Sequence, residues 1–570
     1  MPLRPFTAVI ATVGALFAAT LISPGAAVAA PGDPAGVARV SAIYALTAPE
    51  SRTGLLDAGS LSLYTSPTGA LTRDLDAVID TPVAIGIDPM IPASIRVLGT
   101  AAPQSAVDWL ERLEGASNQT FALTYADSDI TVGLQAGSPT VLAPTSFDYA
   151  IDPSRFSPAV EESATPSPTP TPAPTPSDPV LPTAESLVAW DYTVPSIAWP
   201  VAGTVMATDL AAITASGYTT TILSSGNVER SVRGQATATV AGSSTIVTDD
   251  SLSTLLNEAV EAPTIEGWQA TVGLLQAALD ASALEGGPVG ATTVLALDRG
   301  SLGSATRLGI TLDAIEALPS TDVTAFSATL AVPPNPATLV ERPQTPDRVA
   351  SAASLLATEA FDASFATVAQ NPSLITGERR LILLSTMSSS WSTYPGGWGS
   401  AVALYLAESV DLHNSVRVVK SSDINLIADR ASLPVTVSNA LNQPVTVNIN
   451  VTAPTPLLEI EQPSVAVTIE PDSQKRAQIP VQSLSNGTAQ ISVSISSTTG
   501  VPIGAPTSVK INVYAGWETP ITFTLGFLVF AVFAFGIARL IVRRSRARKL
   551  RKEAAAGGAP AGAPAEEATE

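Results

Sequence analysis

The sequence predicts three parts in order: an α/β ectodomain built as a degenerate parallel barrel, an all-β immunoglobulin-like sandwich, and one C-terminal transmembrane helix. Three observations carry this prediction. Short apolar runs alternate with helix-patterned stretches about 20–40 residues apart, the texture of parallel strands buried on both faces. From about Val416 the apolar residues recur at every second position, as half-buried antiparallel strands require. From Ile521 to Ala538 the chain carries no charge, and a cluster of cations follows.

Arg4 opens the chain, and the run from Pro5 to Ala30 is uncharged and ends in the small-residue site Ala27-Val28-Ala29. That pattern predicts a secretory signal peptide over residues 1–30. Pro24 and Gly25 break the helix that a membrane anchor would need there. No cysteine follows, so no lipid can be attached at this end.

Residues 31–412 form the predicted α/β part. Pro82–Asp88, Thr120–Asp127, Phe147–Pro153, Ser196–Pro200, Tyr218–Ser224 and Thr292–Asp298 are strand-like, with Asp322–Val332 a further strand candidate. Ala106–Leu113 has apolar residues at helical spacing. Asp209–Ser216 reads as a helix closed by Gly217. Within this part, residues 163–180 include TPSPTPTPAPTPSDP, whose alternate prolines permit neither helix nor central strand. It reads as a stiff spacer that either separates two independent domains or is a loop grown inside one; the strand–helix texture that resumes after it favours the second. From Thr345 to about Leu412 the pattern is mostly helical.

Residues 416–515 contain seven alternating segments: around Ile424, Leu433–Val437, Val445–Val451, Val465–Ile469, Ala477–Val481, Ile491–Ile495 and Val509–Val513. Seven half-buried strands predict an antiparallel sandwich, with Asn486-Gly487 as a hairpin signal. The predicted span, 521–542, is about 33 Å long as a helix, enough for a ~30 Å hydrocarbon core. Arg539 can snorkel to the headgroups, Tyr514 and Trp517 stand where an aromatic belt belongs, and Arg543 and Arg544 lead the cytoplasmic cations. The tail, 543–570, is basic and then rich in Ala, Gly, Pro and Glu. These features place a single-pass protein in the cell membrane, its ectodomain outside and its carboxyl end in the cytoplasm, with the lipid bilayer as one partner.

Composition narrows the chemistry. The 570 residues include 29 Lys and Arg against 50 Asp and Glu, one His and no Cys, for a net charge of −21. Arg4 adds one positive charge, and from Arg539 onward eight cations face four acids, so the segment between carries −26. An acidic ectodomain has no basic surface for nucleic acid. Without cysteine there are no disulfides, thiolate metal sites or iron–sulfur clusters, and no metal or cofactor is expected.

The stretch Ser438-Asn439-Ala440-Leu441-Asn442-Gln443-Pro444-Val445-Thr446-Val447, followed by the sandwich, span and Arg-rich tail, resembles an uncharacterised family of actinobacterial secreted, membrane-anchored proteins. Ile87-Asp88-Pro89, Ala122–Asp129, Ala150–Pro153 and Ala198-Trp199-Pro200 fit the same resemblance, with Thr124 where that family usually carries Pro. Genes of the family often lie near that of the lipid II flippase, which implies a role in cell-envelope assembly. The resemblance implies no catalytic residues.

Asp88, Asp127, Asp129, Asp152, Asp249, Asp250 and Asp298 sit at or near predicted strand ends, where barrels hold their chemistry. A polysaccharide deacetylase site with an Asp and two His cannot be built with His413 alone, which ends a helical stretch and is expected to meet terminal carbonyls or solvent. Glycoside hydrolysis needs only two carboxylates, and Asp88, Asp127, Asp129 and Asp298 are its catalytic candidates. The same residues serve equally as turn and helix-start groups: Asp127-Ser128-Asp129 reads as a surface turn and Asp249-Asp250 as a helix entry. Trp391, Tyr394 and Trp398 are candidates for binding a glycan or a partner, or for plugging an interface. The expected function is a membrane-anchored, non-catalytic accessory or scaffold in envelope biogenesis, contacting an envelope protein or a cell-wall glycan. The alternative is a carboxylate-only glycoside hydrolase-like enzyme acting on cell-wall glycan.

Overall fold

A computed structural model describes residues 36–49, 51–157, 179–230, 234–285, 290–300, 305–392, 395–420, 422–426, 428, 430–513 and 518–554. The predicted signal peptide, most of the Pro/Thr/Ser-rich segment, Tyr394, Tyr514, Trp517 and the end of the tail lie outside the described residues.

The chain folds as a mixed α/β part with a largely parallel sheet, two antiparallel sheets and one C-terminal apolar helix. The first sheet has eleven strands: β1 (Ala38–Leu46), β2 (Val83–Ile87), β3 (Thr120–Ala122), β4 (Ile197–Ala198), β5 (Thr220–Ser224), β6 (Val228–Arg230), β7 (Thr237–Val240), β8 (Ser243–Thr248), β9 (Thr292–Ala296), β10 (Thr321–Val323) and β11 (Asn335–Leu339). β1 is central: it pairs in parallel with β2 and β9 and, at its beginning, with β10. Parallel pairing continues from β2 to β3, from β9 to β8, from β8 to β5 and from β5 to β4. β7 and β6 add antiparallel contacts through β8 and β11. Strands from both sides of the Pro-rich segment therefore share one sheet.

Alternate side chains divide the two faces of these strands. Ile43 and Ala45, Ala84, Phe121, Ile197, Ile222, Ile246 and Val294, from β1, β2, β3, β4, β5, β8 and β9 respectively, meet in one buried cluster. Gly86 faces it too: a Cβ there would come within 2.8 Å of Leu123 and Phe121, so only glycine fits. The neighbours Tyr44, Leu46, Ile85, Ile87 and Leu295 join a second core with the helices. At the β3–β4 boundary no ladder forms, but the Val194 amide donates to the Thr120 carbonyl at 2.9 Å.

Helices pack against the sheet: α1 (Ala58–Tyr64), α2 (Ala70–Val78), α3 (Met90–Val97), α4 (Gln104–Glu114), α5 (Ile130–Gln135), α6 (Ala184–Val188), α7 (Ala207–Ala215), α8 (Asp250–Glu261), α9 (Ile265–Glu285), α10 (Ala305–Glu316) and α11 (Phe326–Leu330), the last sending Phe326 into the first cluster beside Phe121. α4 and α7 lie where periodicity places them, and Gly217 after α7 takes a φ of +95°. Phe147–Pro153 is not a strand: its residues form two short 3-10 turns, because Asp152 caps the second through the Ser154 amide. The Asp322–Val332 stretch divides between β10 and α11.

Three further helices, α12 (Pro346–Ala366), α13 (Pro372–Thr386) and α14 (Pro395–Asn414), make a separate layer. Its centre is polar. Arg379 reaches Asp362 at 2.7 Å and the Tyr405 carbonyl at 2.8 Å, and its guanidinium lies 3.7 Å from the Tyr405 ring centre. Ser409 donates to Asp362, and His413 Nε2 lies 3.1 Å from it. The His413 ring stacks on Phe361 at 4.0 Å, so it meets a carboxylate and an aromatic face rather than the helix-end carbonyls expected for it. Burial opposes the Asp362 charge, but the bonds from His413, Ser409 and Arg379 prevail and hold its carboxyl below the usual range.

Nine strands follow: β12 (Val416–Val418), β13 (Ile424–Leu426), β14 (Arg430–Asn439), β15 (Val445–Thr452), β16 (Leu458–Ile460), β17 (Ser464–Ile469), β18 (Ser473–Ser483), β19 (Gly487–Ser497) and β20 (Pro502–Val513). One sheet runs β12-β14-β18-β16 and the other β13-β20-β19-β15-β17, with β13 parallel to β20. Their inward faces share one core, including Val437, Val447, Ile449, Ile479, Ile491 and Ile511. The alternating segments are all strands here. Asn486-Gly487, however, joins β18 to β19 across the two sheets and closes no hairpin. The short strands β12 and β16 carry too few residues for a period to register.

The helical layer is joined to these sheets by main-chain bonds. Thr446 donates to the Val368 carbonyl at 2.8 Å and Gln370 to the Pro444 carbonyl at 3.0 Å, while the Asn371 amide donates to Gln443 Oε1 at 2.9 Å. Phe365 and Val368 belong to the sheets' own core. Beyond β20, helix α15 (Glu518–Ala554) holds the stretch Ile521–Arg546, whose most apolar 18-residue window has mean hydropathy 2.5 and is not buried. It is long and apolar enough to cross a membrane. Arg539, Arg543 and Arg544 lie on this helix.

Asp362→Ala should cost about 3–5 kcal/mol, because it leaves the buried Arg379 guanidinium without its main counter-charge. Glu408→Gln, at a half-exposed partner 3.3 Å from Arg379, should cost under about 1 kcal/mol. Denaturant unfolding of the two variants, followed by tryptophan fluorescence, checks the contrast.

Candidate functional site

β2, β3, β4, β5, β8 and β9 point their carboxyl ends the same way, and the four aspartates singled out as catalytic candidates follow from those ends. Asp88 comes directly after β2 and is 0 % exposed. Its Oδ1 accepts the amides of Met90 at 2.9 Å and Ala126 at 2.8 Å, and its Oδ2 that of Ala48 at 3.3 Å. One side chain thus ties the ends of β1 and β2 to the turn after β3. That turn is strained: Ala126 and Asp127 take φ of 58° and 44°, in the left-handed region. Burial, with nearby Asp127 adding repulsion, pushes the Asp88 carboxyl up to about 7 against the pull of the three amides.

Asp127 is also buried. Arg299, just past β9, meets it at 2.9 Å, and Ser389 donates to it from between α13 and α14. Burial raises its carboxyl, and Arg299 and Ser389 oppose that rise. The same guanidinium donates to the Trp199 carbonyl at 2.5 Å and lies 4.7 Å over the Trp199 ring. Arg299 therefore clamps the ends of β9, β3 and β4. Asp129 caps α5 through the Thr131 and Val132 amides, each at 3.1 Å, and accepts from Gln344 at 2.8 Å and Arg348 at 3.3 Å. It couples α12 to the sheet. Asp127-Ser128-Asp129 is thus not a surface turn: all three residues are buried, because Arg299, Ser389, Gln344 and Arg348 from distant segments, with the adjoining amides of α5, surround the two carboxylates.

Asp298 differs. It is exposed, and among the described residues only its main-chain amide is engaged, donating to Asn257 Oδ1 at 2.9 Å. Partial burial raises its carboxyl. Asp298 opens on a cleft of about 320 Å³ whose lining includes Trp199, Asp250, Glu258, Glu261 and Arg299. Asp250 accepts the amides of Ser225 at 3.1 Å and Gly226 at 2.8 Å. Asp249 caps α8 through Ser251 and Leu252, the helix entry expected of this pair. The structure thus places Asp298 alone of the four in an open cleft, and brings Asp88, Asp127 and Asp129 together as structural groups. No cluster of three or more metal-ligating side chains occurs among the described residues.

Trp391 and Trp398 are 7 % and 8 % exposed and pack with Val132, Leu355, Leu383, Met387 and Tyr405. Their indoles donate to the Ser385 carbonyl at 3.1 Å and the Thr386 carbonyl at 2.8 Å, and Arg348 lies 4.6 Å over the Trp398 ring. Neither offers a free face. The cleft residues that sequence reasoning passed over are Trp199, Glu258, Glu261 and Arg299. Only Arg299, a cation directly after Asp298, carried a local signal.

The chain belongs to a family described as "Family of unknown function (DUF6049)", whose model matches residues 19–566. No curated protein matches it. Among solved structures, trypsin-activated α2-macroglobulin from Escherichia coli is 23 % identical over 18 % of this chain and 7 % of that one, with a TM-score of 0.15. A chain from the complex of zinc 2-glycoprotein with prolactin inducible protein from human seminal plasma is 13 % identical over 17 % of this chain and 92 % of its own, with a TM-score of 0.15. The E. coli chaperone DraB is 12 % identical over 18 % of this chain and 55 % of its own, with a TM-score of 0.14. This chain spans 7 % of the macroglobulin's length.

Asp88→Ala should destabilise the fold by about 2–4 kcal/mol, since it strands three buried amides. The raised Asp88 group holds a proton in the fold that the unfolded chain releases near its ordinary value of about 4. Stability from this group therefore declines as pH climbs from about 4 to about 7. Asp88→Asn should flatten that decline, which thermal unfolding across this pH range checks.

Proposed function

We propose that this member of the family is a membrane-anchored extracytoplasmic accessory or scaffold protein of cell-envelope biogenesis, and that it is not a catalyst. The observation that carries the reading is the engagement of Asp88, Asp127 and Asp129. Each is buried and bonded to main-chain amides, arginines or a serine, and none lines the cleft that holds Asp298. A glycosidase needs two carboxylates flanking one accessible bond.

In this reading the parallel strands form an open barrel, interrupted between β3 and β4. Its support is the single interior cluster to which seven strands contribute, as a side-chain-filled barrel requires. The two antiparallel sheets serve as an immunoglobulin-like stalk, supported by their common core without a disulfide. The signal sequence directs the ectodomain outside the cell membrane. The cations after Val542 keep the carboxyl end in the cytoplasm and favour anionic lipid. The partners are then the bilayer and an envelope protein or wall glycan.

The alternative, a glycoside hydrolase-like enzyme, keeps one favourable observation: Asp298 shares its cleft with Glu258 and Glu261. Incubating the full-length protein with wall glycan decides between them. We expect no new reducing ends; their release, abolished by Asp298→Asn, would overturn the non-catalytic reading. A carboxyl-terminal phosphatase reporter should be inactive and a fluorescent one active, and the reverse would overturn the topology.

A further inference from the structure

We propose that α9 is a self-association surface: two copies of this chain pair through the outward face of the helix, antiparallel, about a twofold axis. The proposal starts from a conflict within α9. Its inward residues Val272, Leu275, Leu279 and Ala283 are buried, and a helix that closes a domain in this way turns polar and charged residues outward. This one does not. From Gly267 to Leu279 it carries no charge, and Leu274 and Leu284 are 61 % and 85 % exposed.

The outward residues follow a seven-residue repeat. Gly267, Ala270, Leu274, Ala277, Ala281 and Leu284 are spaced by three and four in turn, which keeps one seam facing a partner helix. All are exposed except Gly267, which is half-buried. Gly273 flanks the seam. Glycine weakens a helix interior, and a Cβ at this position would meet nothing within 4 Å, so the fold itself does not call for it. A second backbone passing close by does.

The pattern also says which helix fits. With the axis between Leu275 and Gln276, Leu274 of one copy opposes Ala277 of the other, Leu284 opposes Gly267, and Ala270 opposes Ala281. Each leucine meets a small residue, so one sequence supplies both knob and hole, as an isologous interface must. Parallel pairing in register would set leucine on leucine and leave gaps where alanine faces alanine. Charge points the same way. The segment between Arg4 and Arg539 carries −26, so two copies repel wherever acids face acids. Asp280 is the one charged residue between Gly267 and Leu284, and it accepts from Ser320, which holds it toward its own domain. The seam therefore brings no charges together. It is about 27 Å long and ~10 Å wide, well under the ~800 Å² per partner of a stable soluble complex. Such a face suits an occupant that a shared membrane already confines nearby, a second copy anchored by its own α15. That last step rests on the anchored reading above; the helix pairing does not.

The test is sedimentation of the full chain in a zwitterionic detergent, joined to cysteine crosslinking, for which the chain supplies no background thiol. We expect a monomer–dimer equilibrium with a Kd on the order of 10–100 μM. Leu274→Arg and Ala277→Leu should each weaken it about tenfold or more with unchanged melting temperature, because both side chains are exposed. Ala277→Leu adds apolar surface, so weakening by it separates a shaped seam from non-specific adhesion. On oxidation, a mixture of Ala270→Cys and Ala281→Cys chains should crosslink, whereas Leu284→Cys alone should not. A monomer up to about 500 μM, association indifferent to both variants, or Leu284→Cys chains crosslinking to one another would overturn the proposal. So would an environment-sensitive dye on Leu274→Cys that reports lipid in vesicles holding one copy each, which would give the face to the bilayer instead. A carboxyl-terminal reporter active outside the cell would remove the anchor and leave these results standing.

Discussion

A carboxylate taken out of water must be given donors, and the upper end of the parallel sheet is organised around that requirement. Asp88 satisfies it with three main-chain amides, Asp127 with Arg299 and Ser389, and Asp129 with helix amides, Gln344 and Arg348. Beside local amides, each carboxylate takes at least one donor from a segment far away in sequence, so each also acts as a joint. Asp88 joins β1 and β2 to the turn after β3, Asp127 joins that turn to β9, and Asp129 joins α5 to α12. The strained Ala126–Asp127 turn persists because these bonds over-determine it. Residues committed in this way are poorly placed to exchange protons with a substrate, which is why the cleft beside Asp298 takes the functional interest.

The second joint lies between the helical layer and the two antiparallel sheets. Asn439 donates to the carbonyls of Gln443, Ile469 and Glu470, which fixes the turn between β14 and β15. Gln443, held by that turn, accepts from Asn371 at the start of α13. Phe365 and Val368 complete the contact by entering the sheets' core. The Ser438–Val447 motif is therefore a docking element, and its residue types follow from the need to satisfy main-chain groups buried at the joint.

How much could be read along the chain depended on whether an element's surroundings are written into its own period. Val445–Thr452 alternates buried and half-buried residues one by one, and such strands were legible as they stood. β1 carries no such alternation, since nearly all of Ala38–Leu46 is buried, and its central position is defined by pairing with β2, β9 and β10. Asn486-Gly487 has hairpin chemistry, yet the chain crosses between sheets there because β18 and β19 pair with other partners. Trp391 and Trp398 look alike as binding or packing residues in sequence, and only their neighbours distinguish the two uses.

The sequence by itself determined the chemistry available and the helix long and apolar enough to cross a membrane. Without cysteine and with a single histidine, thiolate sites and paired-imidazole sites are impossible in any fold, and an uncharged stretch beside a run of cations is a property of the chain alone. Only the tertiary structure decided what each aspartate does. Asp88 and Asp298 both follow parallel strands and are the same residue type, yet one is buried against three amides and the other is exposed in a cleft. Burial and donor geometry are made by segments distant along the chain, so no local pattern could distinguish them.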